Sequence, residues 1–218
     1  QEMVWATLLV VCTLRPYGTH DLRDWWNHAD ETFSHIKYDR WLKSPTDLVA
    51  SWYKSWLHQL PDHPGHVVEY GIGAGLLGKV LLTDMGVSRY TGLDVSDRQL
   101  HHANRTLASC CASRCRLVRV DRLAPHHLEG AQTFVSQAVI QHFPSREYVA
   151  DFLRVLDAAA SVQWTMLQVR EMPEGTTGRD VTHATSVTGA ELQALLPSFS
   201  LSWRSKRYRN GYVFYTFQ

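Results

Sequence analysis

The chain has 218 residues, 44% of them apolar, with 22 basic and 21 acidic side chains and a formal charge of +1. That length and apolar share suit one α/β domain with an N-terminal extension and supply ample material for a core. The near-zero charge, without a basic block, lacks the electrostatic footprint of a nucleic-acid binder, so a small molecule or peptide is the expected partner.

Val4 to Leu14 is an apolar run of eleven residues. It is too short to span a bilayer, and it has neither the basic flank nor the small-residue cleavage site of a signal peptide. We read it as a helix that packs on the domain or at an oligomer interface. A chain opening on Gln is expected to be a trimmed piece or one part of a larger protein, and its compartment stays open, the cytoplasm being the default expectation. Residues 19–60 are rich in aromatic rings, among them Trp25, Trp26, Tyr38, Trp41, Trp52 and Trp56. Asp21 is placed to cap one helix, and Ser44-Pro45 to open another. Leu48, Trp52, Trp56 and Leu60 recur at helical spacing, so most of these rings are expected to be core. Residues 1–60 thus read as a helical cap, ended by the breaker Pro61-Asp62-His63-Pro64-Gly65, and residues 61–218 as the main domain.

From there strands and helices alternate. Strands are predicted at Val67–Tyr70, Tyr90–Val95, Arg116–Val120, Gln132–Gln137 and Val162–Arg170. Helices are predicted at Leu76–Met85, Asp97–Ala108, Ser145–Ala159 and Thr188–Leu195, the last with Thr188 and Glu191 placed as a capping box. Ser200–Lys206 and Tyr212–Phe217 read as two strands joined at Asn210-Gly211, a strong hairpin signal. Alternation of this kind predicts a Rossmann-like three-layer sandwich: a mostly parallel seven-stranded sheet with helices on both faces, closed by an antiparallel C-terminal hairpin. Cys110, Cys111 and Cys115 fall between a helix and the next strand, without the second ligand pair that zinc usually takes. They are expected to be surface thiols. The basic stretch Arg204-Ser205-Lys206-Arg207-Tyr208-Arg209 is expected to be a solvated hairpin.

The chemistry concentrates in Val67-Val68-Glu69-Tyr70-Gly71-Ile72-Gly73-Ala74-Gly75 and Gly92-Leu93-Asp94-Val95-Ser96. A buried strand, a glycine turn, a helix and a second strand ending in an acid form a unit that holds an adenosine-containing cofactor. The glycines let backbone approach the ligand, and Asp94, nineteen residues after Gly75, is placed to accept from two ribose hydroxyls. Gly73-Ala74-Gly75-Leu76-Leu77-Gly78 also satisfies the dinucleotide fingerprint, so NAD must be weighed. Glu69 opposes that reading, because an acid beside the helix N-terminus repels a pyrophosphate and attracts the α-ammonium of methionine. The closing hairpin opposes it too, since a dinucleotide domain is expected to end in another parallel unit.

These paired motifs resemble motifs I and II of the class I S-adenosylmethionine-dependent methyltransferases, and the resemblance covers roughly residues 60–218. It implies S-adenosylmethionine as cofactor and methyl transfer to an oxygen, nitrogen or sulfur of a small-molecule acceptor. It places Glu69, Gly71, Ile72, Gly73 and Gly75 around the methionine end, Asp94 on the ribose and Val95 against adenine. Asp121 would accept from the adenine amino group, Arg122 would meet adenine through its backbone, and Gln137 would touch the methionine end. His142, in Val139-Ile140-Gln141-His142-Phe143-Pro144, falls where the fourth motif lies and is the candidate general base. The Asn-Pro-Pro-Tyr signature of nucleic-acid amino methylation is absent there. Tyr38, Trp41 and Arg170 are candidates for the acceptor pocket, under the loop from Glu171 to Val187. No metal constellation is expected. The rival readings are a methyltransferase-like module that binds without turnover and an NAD-dependent oxidoreductase.

Overall fold

The computed structural model describes residues 55–171, 185–207 and 211–218. Most of the expected N-terminal cap, with Tyr38 and Trp41, lies outside the described residues, as do Cys12, Asn210 and positions 172–184. The strands are β1 (His66–Tyr70), β2 (Arg89–Asp94), β3 (Cys115–Arg119), β4 (Thr133–Ser136), β5 (Trp164–Arg170), β6 (Leu201–Arg204) and β7 (Tyr212–Phe217). The α-helices are α1 (Leu76–Asp84), α2 (Asp97–Cys111), α3 (Arg146–Asp157) and α4 (Gly189–Leu195).

All seven strands join one sheet in the order β3-β2-β1-β4-β5-β7-β6. The first five are parallel, and β7 runs antiparallel to both β5 and β6. The expected mixed sheet with a closing antiparallel hairpin is what forms. The chain builds outward from β1 to β3, then returns to the other side of β1 as β4. That reversal opens a crevice at the carboxyl ends of β1 and β4, where open α/β sheets hold their ligands.

Both sheet faces are covered, which is why β1 is buried along its whole length. Alternate residues point to opposite layers. Val68, Tyr70, Phe134, Leu167 and Tyr215 pack under Phe152, Leu153 and Leu156 of α3. Val67, Tyr90, Val135 and Met166 pack under Leu77 and Leu81 of α1 and Leu107 of α2. Trp56, Leu57 and Leu60 join this second layer, with the Trp56 ring edge-on to Phe214 at 4.9 Å. The caps act where local chemistry placed them. Ser145 accepts from the Tyr148 N–H at 3.2 Å. Thr188 accepts from the Glu191 N–H at 3.3 Å, and the Glu191 carboxylate accepts from the Thr188 N–H at 2.8 Å.

Some boundaries differ from the sequence reading. β5 starts at Trp164 rather than Val162, because the Val162 and Gln163 N–H groups close a turn onto Ala159 and Gln132. β6 stops at Arg204 because the Ser205 side chain interrupts the ladder, accepting from Phe214 N–H at 3.0 Å.

The cysteine expectation is corrected: Cys111 and Cys115 form a disulfide, with Cα atoms 5.2 Å apart, and Cys110 remains a half-buried thiol. α2 runs on to Cys111, and one tight turn over Ala112–Arg114 brings Cys115 back beside it. The basic stretch is exposed at Arg204, Lys206 and Arg207, and Arg204 and Arg207 in addition bind the buried Glu171 carboxylate, at 2.9 Å and 3.0 Å. Among the described residues no helix is long and apolar enough to cross a membrane.

Candidate cofactor and acceptor site

The turn after β1 is built from backbone that L side chains resist. Gly71, Gly73 and Gly75 have φ of +76°, +52° and +81°. Two of them are also sterically required. A Cβ on Gly71 would stand 2.2 Å from Val139 Cγ2, and one on Gly75 would stand 3.0 Å from Ala103 Cα. Gly71 thereby lets the β1 turn dock against the β4 turn, and Gly75 lets α1 begin hard against α2. Around Gly73 a Cβ would meet nothing within 4 Å among the described residues.

Asp94 ends β2 beside this turn and is 8% exposed. Its Oδ2 accepts from the Gly73 N–H at 2.9 Å, and its Oδ1 accepts from the Ser96 N–H at 2.9 Å. Burial pushes the carboxyl up to about 6, against the pull of those backbone N–H groups. Ser96 caps α2 by accepting from Gln99 N–H at 3.2 Å, which locks the segment after Asp94. Val95 is half-buried between them. Ile72 is buried, and Gly92 makes space for it, since a Cβ there would lie 2.4 Å from Ile72 Cδ1.

Glu69 is 2% exposed, and its Oε2 accepts from the Tyr90 hydroxyl at 2.6 Å. Burial pushes its carboxyl up to about 8; the Tyr90 hydrogen bond opposes the rise and the Asp94 charge adds to it. A raised carboxyl binds its proton in the fold, so the stability it contributes is fully present below its ordinary value of 4.5 and is lost as pH rises through about 8. The loss is on the order of 4 kcal/mol. Glu69→Gln is therefore expected to flatten the stability profile across this range. Urea midpoints at pH 5 and pH 9 check it, and a variant that falls as steeply as the wild type contradicts it.

The other tips carry the remaining candidates. After β4, the Ser136 hydroxyl donates to the Tyr70 carbonyl at 3.1 Å, and Gln137 is half-buried. Ala138 follows with φ +55°, strained backbone of the kind that a functional turn retains. His142 closes the short helical turn Ile140–His142; its Nε2 lies 3.4 Å from Gln141 Nε2, and Gln141 is itself buried. After β3, Asp121 is exposed and pairs with Arg119 at 2.9 Å. Arg122 stacks its guanidinium over the Tyr148 ring at 5.0 Å. At the end of β5, Arg170 is half-buried.

The structure thus brings Glu69, Gly71, Ile72, Gly73, Gly75, Asp94 and Val95 together at the carboxyl ends of β1 and β2, with Glu69, Ile72, Gly75 and Asp94 buried and Gly71, Gly73 and Val95 half-buried. It sets Gln137 and His142 on the adjacent turn, and puts Asp121 and Arg122 on an exposed rim where their side chains have protein partners. Tyr90 is a partner of Glu69 that the sequence reading missed, because an aromatic on a buried strand looks like ordinary core. Among the described residues no group of three or more His, Cys, Asp or Glu comes together to hold a metal ion.

No family model matches the chain. It is similar to the nonribosomal peptide synthetase kk1B of Curvularia clavata, 31% identical over 119 residues, which is 50% of this chain and 1% of that protein. It is also similar to the probable non-canonical nonribosomal peptide synthetase CymA of Salinispora arenicola (strain CNS-205), 28% identical over 175 residues, 71% of this chain and 2% of that one. The chain therefore spans only 1–2% of the length of these relatives. Among solved structures, magnesium protoporphyrin IX methyltransferase from Synechocystis PCC 6803 with bound S-adenosylmethionine superposes with a TM-score of 0.63 at 16% identity, covering 93% of this chain and 99% of that one. The small RNA methyltransferase HEN1 superposes with a TM-score of 0.63 at 14% identity, covering 80% and 26%. The fold is that of the class I S-adenosylmethionine-dependent methyltransferases.

Proposed function

We propose that this chain binds S-adenosylmethionine and catalyses transfer of its methyl group to an oxygen, nitrogen or sulfur of a small-molecule acceptor, releasing S-adenosylhomocysteine. The observation that carries the reading is the buried Asp94 carboxylate at the tip of β2, held against the Gly73 N–H of a glycine turn whose outer side is open. An acid so placed accepts from vicinal ribose hydroxyls, and the buried Glu69 behind the turn complements an ammonium rather than a phosphate. Asp94 suits the ribose of either cofactor, and it is Glu69 that disfavours a dinucleotide. The similarity to peptide synthetases supports an acceptor derived from an amino acid or peptide, and work as one part of a larger assembly line.

Bound cofactor supplies a methyl group already activated on a sulfonium, so the protein's task is alignment and proton removal. Glu69, Asp94 and the glycine turn bind and orient. On the turn after β4, Gln137 borders the methionine end of the cofactor and His142 takes the acceptor proton. Asp121 and Arg122 border the adenine end, while Arg170 bounds the acceptor.

Calorimetric titration with S-adenosylmethionine, S-adenosylhomocysteine and NAD tests the reading. Micromolar binding of both adenosyl compounds and none of NAD is the expected result. Binding of NAD alone would restore the oxidoreductase reading. Binding of the adenosyl compounds without turnover on any amino-acid or peptide acceptor would leave a non-catalytic binding module.

A further inference from the structure

Tyr90 is fully buried, yet it carries a hydroxyl into an apolar layer that includes Ile72, Leu77, Leu81 and Leu107. That hydroxyl donates to Glu69 Oε2 at 2.6 Å. Helix α1 makes room for it: a Cβ on Gly78 would sit 2.4 Å from the Tyr90 oxygen. The groups acting on Glu69 are Tyr90 and Asp94, both from β2. Those acting on Tyr90 are Glu69 of β1, Asp94 and Cys110 of α2. From α1 and β4 the pair is faced by Leu77, Leu81 and Val135. Nothing in that set is a cation. Two buried acids thus stand at one turn, and a positive ligand is what complements them.

We propose that Tyr90 is a positioning residue of the cofactor site: its hydroxyl fixes the Glu69 carboxyl behind the glycine turn, and seating the cationic methionine end of the cofactor releases the Glu69 proton to solvent. This rests on the cofactor reading above. The O–H bond of the Glu69 carboxyl breaks, its electron pair stays on the carboxylate, and the proton passes to buffer; Tyr90 keeps its own proton and donates to the new charge. Burial holds the carboxyl near 8 before the ligand arrives, so at neutral pH there is a proton to release, and an ammonium beside it favours the ionised form.

The test is calorimetry of S-adenosylmethionine binding at pH 7 in two buffers of different ionisation enthalpy, repeated from pH 6 to 9. Wild type is expected to release close to one proton and to gain affinity about tenfold per pH unit until the profile levels. Tyr90→Phe removes the bond that favours the ionised carboxyl, so it should bind about tenfold more weakly at pH 7.5 and level at a higher pH. Gly78→Ala, which displaces the hydroxyl, should shift the profile the same way, and Glu69→Gln should release no proton. Equal heats in the two buffers overturn the proposal, as does a Tyr90→Phe profile that superposes on the wild type; both leave cofactor binding standing. Absence of wild-type binding at every pH overturns the proposed function instead. Where Tyr90→Phe fails to fold, the wild-type proton count decides.

Discussion

Asp94→Ala is expected to weaken S-adenosylmethionine and S-adenosylhomocysteine alike, by about a hundredfold. The ribose is common to both, so the loss should not depend on the charge at sulfur. Each hydrogen bond to an ionised group contributes roughly 1.5–3 kcal/mol, and two hydroxyls lose the same acceptor. A second loss adds to the first: the Gly73 N–H, now bonded to Asp94 Oδ2 at 2.9 Å, has to find another partner, which loosens the turn. Asp94→Asn separates the two effects. It keeps a carbonyl oxygen for one of them and should cost about tenfold. Parallel titrations of the three proteins give the measurement, and unchanged affinity in Asp94→Ala would place the ribose elsewhere.

Glu171→Ala should cost about 3 kcal/mol of stability, near the low end for breaking a buried ion pair because its partners are half-exposed. The Glu171 side chain is 5% exposed, whereas those of Arg204 and Arg207 are 43% and 44% exposed. It accepts from the Tyr215 hydroxyl, from both guanidinium groups and from the Gly189 N–H at 3.1 Å. The carboxyl thus ties the end of β5 to β7, to the end of β6 and to the start of α4. Burial alone would push it up; the Tyr215 and Arg207 hydrogen bonds, the Arg204 charge and the Gly189 N–H outweigh burial and hold it below the usual range. A lowered carboxyl contributes stability that is present above its ordinary value of 4.5 and is lost as pH falls through its lower folded value. Melting curves should show the variant about 6–12 °C lower at pH 7, with the gap narrowing in acid. A gap that stays constant with pH would mean that packing, not charge, carries the effect.

The two carboxylates differ in how far the sequence revealed them. The place of Asp94 was legible because it follows from local order: a strand, an acid at its tip and a helix start soon after, at a set distance from a glycine turn. Glu171 was named only as the start of a loop, and the arginines that hold it were read as part of a solvated hairpin. They lie more than thirty residues away in the chain, and the antiparallel return of β7 alone brings them alongside. Tyr90 and Glu69 show the same limit, twenty-one residues apart and joined by the parallel register of β1 and β2. The disulfide is the opposite case. Cys111 and Cys115 are only four residues apart, yet their pairing depended on where α2 ends.

By itself the sequence determined what nearest neighbours along the chain decide. Hydrophobic period placed the strands and helices, Thr188 and Glu191 capped α4, and the glycines and Asp94 marked the cofactor turn. Tertiary structure decided what depends on contact across the sheet. It chose Gly71 as the glycine that lets Val139 dock, gave Glu69 to Tyr90 and Glu171 to two arginines, and so raised the first carboxyl and lowered the second. The physical reason is that burial and distance are properties of the packed sheet, and no stretch of chain carries them alone.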